Sequence, residues 1–224
     1  MKSVDFAIHK EGETKYKIVF SDYSEALIKS IVHSKQIDDI GVYKDYRTIG
    51  FTATSVQTYT EFRDGAPFER NRMSYDAALR MVSALATQLK YLIEVQSSCF
   101  CMFNLDNLVV IDGNKFVYMS NEHLCNLIPP CNLIPVDMLV IQPFSRKNNF
   151  VSPELLRVLC IPAKVDYRSA YYSLGALVMH CVSGNDCVSG NLGNFDNELK
   201  GTKLHAMLRR CLAEDPRERS ILFV

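Results

Sequence analysis

The chain has 224 residues, 48% of them hydrophobic and 22% charged, enough to bury a sizeable core in one large domain or two small lobes. Its 25 Lys and Arg residues balance 25 Asp and Glu, which argues against a general nucleic-acid binder or a protein drawn to anionic membranes. The start, MKSVDFAIHKEGETK, has no apolar run after its charge, and no stretch approaches the ~20 apolar residues that span a bilayer, so a cytoplasmic or nuclear protein that is not secreted is expected. Eight cysteines without a C-x-x-C pair fit reduced, mostly buried thiols, and His123, Cys125 and Cys131 match no common zinc spacing.

Val4, Phe6 and Ile8 alternate, Glu11-Gly12-Glu13 turns, and Tyr16–Phe20 returns, so residues 4–20 read as a hairpin. Residues 22–35 read as a helix with Ser24 at its N-cap. Strands are predicted near Gly41–Tyr46 and Ser55–Phe62, then a loop over Arg63–Pro67. From Ser74 to Gln96 a wide apolar face at helical spacing predicts a long helix. Leu108–Ile111 and Lys115–Met119 flank Asp112-Gly113-Asn114, a strong hairpin signal. Residues 121–150, with Pro129, Pro130, Pro135 and Pro143, read as irregular. Helices are predicted near Pro153–Leu159, Ala170–Ser183 and Lys203–Ala213, with a polar, glycine-rich loop between the last two. The order predicts a two-lobed α+β layout: a reduced, β-rich lobe over residues 1–63 and a mostly helical lobe over 64–224.

The stretch Phe100–Ser120, FCMFNLDNLVVIDGNKFVYMS, resembles the catalytic loop and metal-binding hairpin of the eukaryotic protein kinases. Counting back from Asn107, which matches the metal-binding asparagine, the family's H-R-D triplet falls on Phe100, Cys101 and Met102, and its lysine on Asn104. The D-F-G aspartate falls on Ser120. Glu61-Phe62-Arg63-Asp64-Gly65 resembles the hinge, Val151-Ser152-Pro153-Glu154 the A-P-E signature, and Ser173-Leu174-Gly175 the S-L-G of the central helix, whose preceding aspartate is Ala170. Leu208 to Arg219 resembles the segment L-x-x-x-D-P-x-x-R. The likeness implies a protein-kinase-like fold and an architectural ion pair between Glu154 and Arg219.

It also implies loss of chemistry. Phosphoryl transfer rests on positioning and charge neutralisation. Met102 accepts no proton, and Ser120 is an uncharged, poor ligand for a hard dication. There is no glycine-rich phosphate loop, and Lys17, the best candidate for the strand lysine, has no well-placed glutamate, since Glu25 falls too early. Lys17 and Asn107 are the candidates for residual nucleotide binding. The expectation is therefore an inactive pseudokinase with no catalytic residue, no metal and no required cofactor, although the adenine pocket could hold ATP without magnesium. Its expected partner is a protein, either an active kinase or a kinase substrate. The small first lobe, and the five residues that follow Arg219, make it similar to truncated kinase homologues of large DNA viruses. Two alternatives stay open: a divergent active Ser/Thr kinase using ATP and magnesium with Asp106 as a displaced base, and a structural or assembly protein on the same fold.

Overall fold

A computed structural model describes residues 5–65, 72–128, 137–184 and 199–221. Strands β1 (Phe6–Lys10) and β2 (Lys15–Phe20) form the expected hairpin, with Phe6 opposite Phe20 and Lys10 opposite Tyr16. β3 (Asp38–Val42) and β4 (Thr48–Thr52) complete an antiparallel sheet in the order β1-β2-β4-β3. Tyr16, Ile18 and Phe20 alternate onto its buried face, together with Ile49 and Phe51. Helix α1 (Glu25–His33) contributes Leu27, Ile28 and Ile31 to the same core. Ser24 stands at its N-cap but makes no capping hydrogen bond.

The second half of this lobe departs from the expected order. The strand expected over Ser55–Phe62 is only β5 (Val56–Thr58), and helix α2 (Tyr59–Gly65) begins at once, so Glu61–Gly65 is helical and is not the hinge. The chain passes from β4 to β5 through Ala53–Ser55, and α2 spans residues 63 and 64. The strand expected near Gly41–Tyr46 lies at Asp38–Val42, and β4 went unpredicted. Its apolar alternation is only Ile49 and Phe51, and Gly50 between them is a weak strand former.

Helix α3 (Tyr75–Val95) spans the expected range, and the Ser74 side chain accepts from the Ala77 amide at 3.3 Å. One polar residue, Gln88, is buried in its apolar face. Its Nε2 donates to Ser30 Oγ at 3.1 Å and to the Tyr118 carbonyl at 2.8 Å, while its Oε1 accepts from the Tyr118 amide at 3.1 Å. One amide thus fixes α1, α3 and the hairpin strand together, and both of its polar atoms have partners.

The hairpin β7 (Leu108–Ile111) and β8 (Lys115–Tyr118) pairs with β5 in the order β5-β7-β8. Residues 121–150 are less irregular than expected. β9 (Leu124–Ile128) and β10 (Asp137–Val140) join β6 (Ser98–Phe100) and β11 (Ala163–Asp166) in the order β11-β10-β9-β6. Neither β9 nor β10 contains a proline, so neither loses a ladder hydrogen bond to one.

Among the described residues the remaining α-helices are α4 (Pro153–Leu156), α5 (Ser169–Ser183) and α6 (Lys203–Cys211). α5 is buried almost all round and ends on Gly184, whose φ of +70° suits a glycine cap. α5 and α6 approach so closely at Gly175 that a Cβ there would lie 2.7 Å from the Cys211 Cβ. Gly175→Ala is therefore expected to destabilise the protein by about 1–3 kcal/mol through overpacking, read as a lower urea midpoint. Unchanged stability would mean the two helices can move apart freely.

Candidate functional site

The loop between β6 and β7 carries the positions that matched the kinase catalytic loop, and all of its apolar members point inward. Phe100, Cys101, Met102 and Phe103 are buried, Met102 at 1% exposure. Phe100, Phe103 and Tyr118 pack ring to ring, with centroids 4.6–5.5 Å apart. The backbone is tied down in turn. The Phe103 amide donates to Ser173 Oγ at 2.7 Å, and its carbonyl accepts from Asn148 Nδ2 at 3.3 Å. Ala170, where the family writes aspartate, is fully buried, and Ser173 one turn later makes the tether to the loop.

Asn104 Oδ1 accepts from the Asn107 amide at 2.9 Å, and the Asn107 carbonyl accepts from the Met119 amide at 2.8 Å. Both asparagines therefore shape the turn. Asn107 is buried, and its side chain faces Tyr118. Burial pushes the Tyr118 hydroxyl well above the usual phenol range, aided by neighbouring Cys101 and opposed by Asn107.

Ser120 is fully buried, and a carboxylate from the far end of the sequence covers it. Oδ2 of buried Asp5 accepts from Ser120 Oγ at 2.9 Å, from the Asn121 amide at 3.2 Å and from the Glu122 amide at 3.2 Å. The place matched to a metal-binding aspartate is thus a hydrogen-bond donor serving a structural acid. The Glu122 side chain itself is exposed. The network continues through His123. Its amide lies 3.4 Å from Ser120 Oγ, and its Nδ1 lies 2.7 Å from Tyr118 Oη, which is 3.3 Å from the Met102 carbonyl. A tyrosine hydroxyl has one proton. Satisfying both contacts places a proton on His123 Nδ1, donated to Tyr118, which in turn donates to Met102.

Asp5→Asn keeps an oxygen acceptor but removes the charge that three donors share. It is expected to cost about 1–2 kcal/mol and to raise hydrogen exchange at the Asn121 and Glu122 amides. Unchanged exchange at both amides would show that Asp5 does not hold this turn.

Lys17 lies on the outward face of β2. Its ammonium is 3.8 Å from Glu11 and 5.5 Å from the Tyr43 ring centroid. Glu25 pairs with Lys29 within α1 instead. Lys17 and Asn107 share no contact among the described residues, so the structure does not bring the two nucleotide candidates together. Asp106 is exposed beside the loop. The segment between β4 and β5 is held by Asp112, whose Oδ1 accepts from the Thr54 amide and hydroxyl, each at 2.7 Å, while Lys115 bridges Asp112 and Asp38. Burial raises the Asp112 carboxyl, but these hydrogen bonds outweigh it and hold it below the usual range.

On the far side of the second lobe, Arg219 forks onto Glu154, with Nη2 3.1 Å from Oε2 and Nη1 on Oε1. The same guanidinium donates to the carbonyls of Ala213 at 2.7 Å and Glu214 at 3.0 Å, and sits 5.0 Å from the Tyr172 ring centroid. The sequence motifs named both residues of this pair; they gave no hint of Asp5. Cys131 lies outside the described residues, and among those described no three metal-ligating side chains converge. No described helix is long and apolar enough to cross a membrane.

No family model and no curated protein sequence matches the chain. Among solved structures it is similar to a rhoptry kinase from Toxoplasma gondii, with a TM-score of 0.54 and 12% identity over 98% of this chain and 72% of that one. At that identity the likeness shows the fold alone. The chain has a two-lobed, protein-kinase-like fold, sheet-rich in its N-terminal part and helical in its C-terminal part.

Proposed function

We propose that this kinase-like chain is catalytically inactive and works by binding another protein. One observation carries the reading: the two positions where a kinase needs carboxylates, Met102 and Ser120, are 1% and 0% exposed and are built into the core. A base must come within hydrogen-bond reach of the substrate hydroxyl, and a dication needs charged oxygen ligands open to the nucleotide. Met102 and Ser120 offer neither. Asp5, the acid nearest to Ser120, spends one oxygen on three protein donors.

The proposed partner is an active kinase or a kinase substrate, engaged by competition or by allosteric contact, in the manner of the small viral kinase homologues that the sequence resembles. Nucleic acid and membrane are not proposed as partners, given the balanced charge. The test is incubation with radiolabelled ATP, magnesium and generic protein substrates. No incorporation above blank is the expected result. Incorporation that Asp106→Asn abolishes would establish a divergent kinase and end this reading.

A further inference from the structure

We propose that Ile141, Leu156, Leu159 and Ile161 form a docking ridge for an acidic, apolar segment of another protein, an inference that rests on the binding role proposed above. Four of the nine exposed large hydrophobic residues among those described fall in this one stretch: Ile141 at 56%, Leu156 at 45%, Leu159 at 90% and Ile161 at 39%. Single exposed apolar residues are ordinary, whereas a clustered patch marks an interaction surface.

The fold makes the stretch continuous. β10 and β11 pair with Val140 opposite Ala163, so Ile141 leaves the pair at the end where Pro162 enters it. Pro143, Phe144 and Arg146 share a groove of about 150 Å³ with Val158, Leu159 and Ile161. The guanidinium of Arg146 bonds the Val158 carbonyl and closes one wall.

Charge selects the occupant. Between residues 141 and 164 the chain carries Arg146, Lys147, Arg157 and Lys164 against one acid, Glu154, which is committed to Arg219. All four cationic residues are exposed. The chain as a whole is neutral, so this is a local excess. A ridge of large apolar side chains among unopposed cations complements a segment that places carboxylates beside Leu, Ile or Phe. The apolar contact supplies affinity, and the charges supply steering and selection. In the larger groove of about 350 Å³, between α3 and Tyr167–Tyr171, Lys90 pairs with Glu94, Arg168 with Asp166 and Arg219 with Glu154, so its lining selects neither sign.

The test is selection of a random-peptide display library against the full chain without nucleotide, followed by anisotropy titration of the selected peptides. Peptides rich in Asp or Glu beside large apolar residues are expected. Leu159→Asp, and separately the pair Arg157→Glu and Lys164→Glu, should weaken them at least about tenfold, and added salt should weaken them further. These side chains are exposed, so unfolding midpoints should stay unchanged. Neutral or basic selected peptides, no enrichment, or equal binding to Leu159→Asp would overturn the proposal. So would self-association in sedimentation that Leu159→Asp abolishes, because the occupant would then be a second copy. Magnesium-dependent phosphorylation of a bound peptide would leave the ridge standing and overturn the inactive reading instead.

Discussion

Replacing Glu154 with Ala is expected to lower the unfolding free energy by about 3–5 kcal/mol, read by urea denaturation. The Arg219 side chain is 0% exposed, against 17% for Glu154, so the variant strands a guanidinium that water cannot reach. The carbonyls of Ala213 and Glu214 and the Tyr172 ring still face the cation, but they carry no net charge to neutralise it. Arg219→Ala should cost a similar amount through lost packing and orphaned carbonyls, although water can rehydrate Glu154. The double variant should cost clearly less than the sum, since the second change removes a group already stranded by the first. Strict additivity would show that the two side chains do not interact, and the tie between α4 and the turn at Pro216–Glu218 would lose its physical basis.

Acid should destabilise the protein well before its carboxylates are protonated. Burial pushes His123 down to about 4 despite the opposing charge of Asp5, so the folded state keeps the imidazole neutral. An unfolded chain binds that proton near pH 6.5. Stability is therefore full above pH 6.5 and falls as pH drops from there towards 4, after which both states are protonated and the loss is constant. The difference of roughly 2.5 units corresponds to about 3 kcal/mol. Urea unfolding at several pH values between 7 and 4 checks this against His123→Asn, whose own cost shifts the whole curve but whose slope should flatten across the window. Parallel curves for the two proteins would show that His123 is not the titrating group.

Local chemistry made much of this fold legible. Ser74 followed by an apolar face at helical spacing marked α3, and Asp112-Gly113 between apolar runs marked the β7–β8 hairpin. The Met102 and Ser120 substitutions were readable because a motif frame fixed their positions. What covers them was not readable. Asp5 and Ser120 are 115 positions apart, and no periodicity links a lone acid before the first strand to a turn after the eighth. Ser173 as the tether to Phe103 was hidden for a related reason, because the frame directs attention to Ala170. β9 and β10 were obscured by the prolines of 121–150, none of which falls within either strand. Gln88 was detectable, since it stands alone among Leu85, Leu89 and Leu92 on a face otherwise fit for burial. An isolated amide in such a face signals a buried polar link between elements.

The most direct measurement on the candidate site is a calorimetric titration of the purified chain with ATP, with and without magnesium. The expected result is no heat that depends on magnesium; weak binding indifferent to the metal would be a retained adenine pocket beside a dead metal site. Tight binding that requires magnesium would contradict the account, because it demands charged ligands that Met102, Ser120 and the already committed Asp5 do not supply.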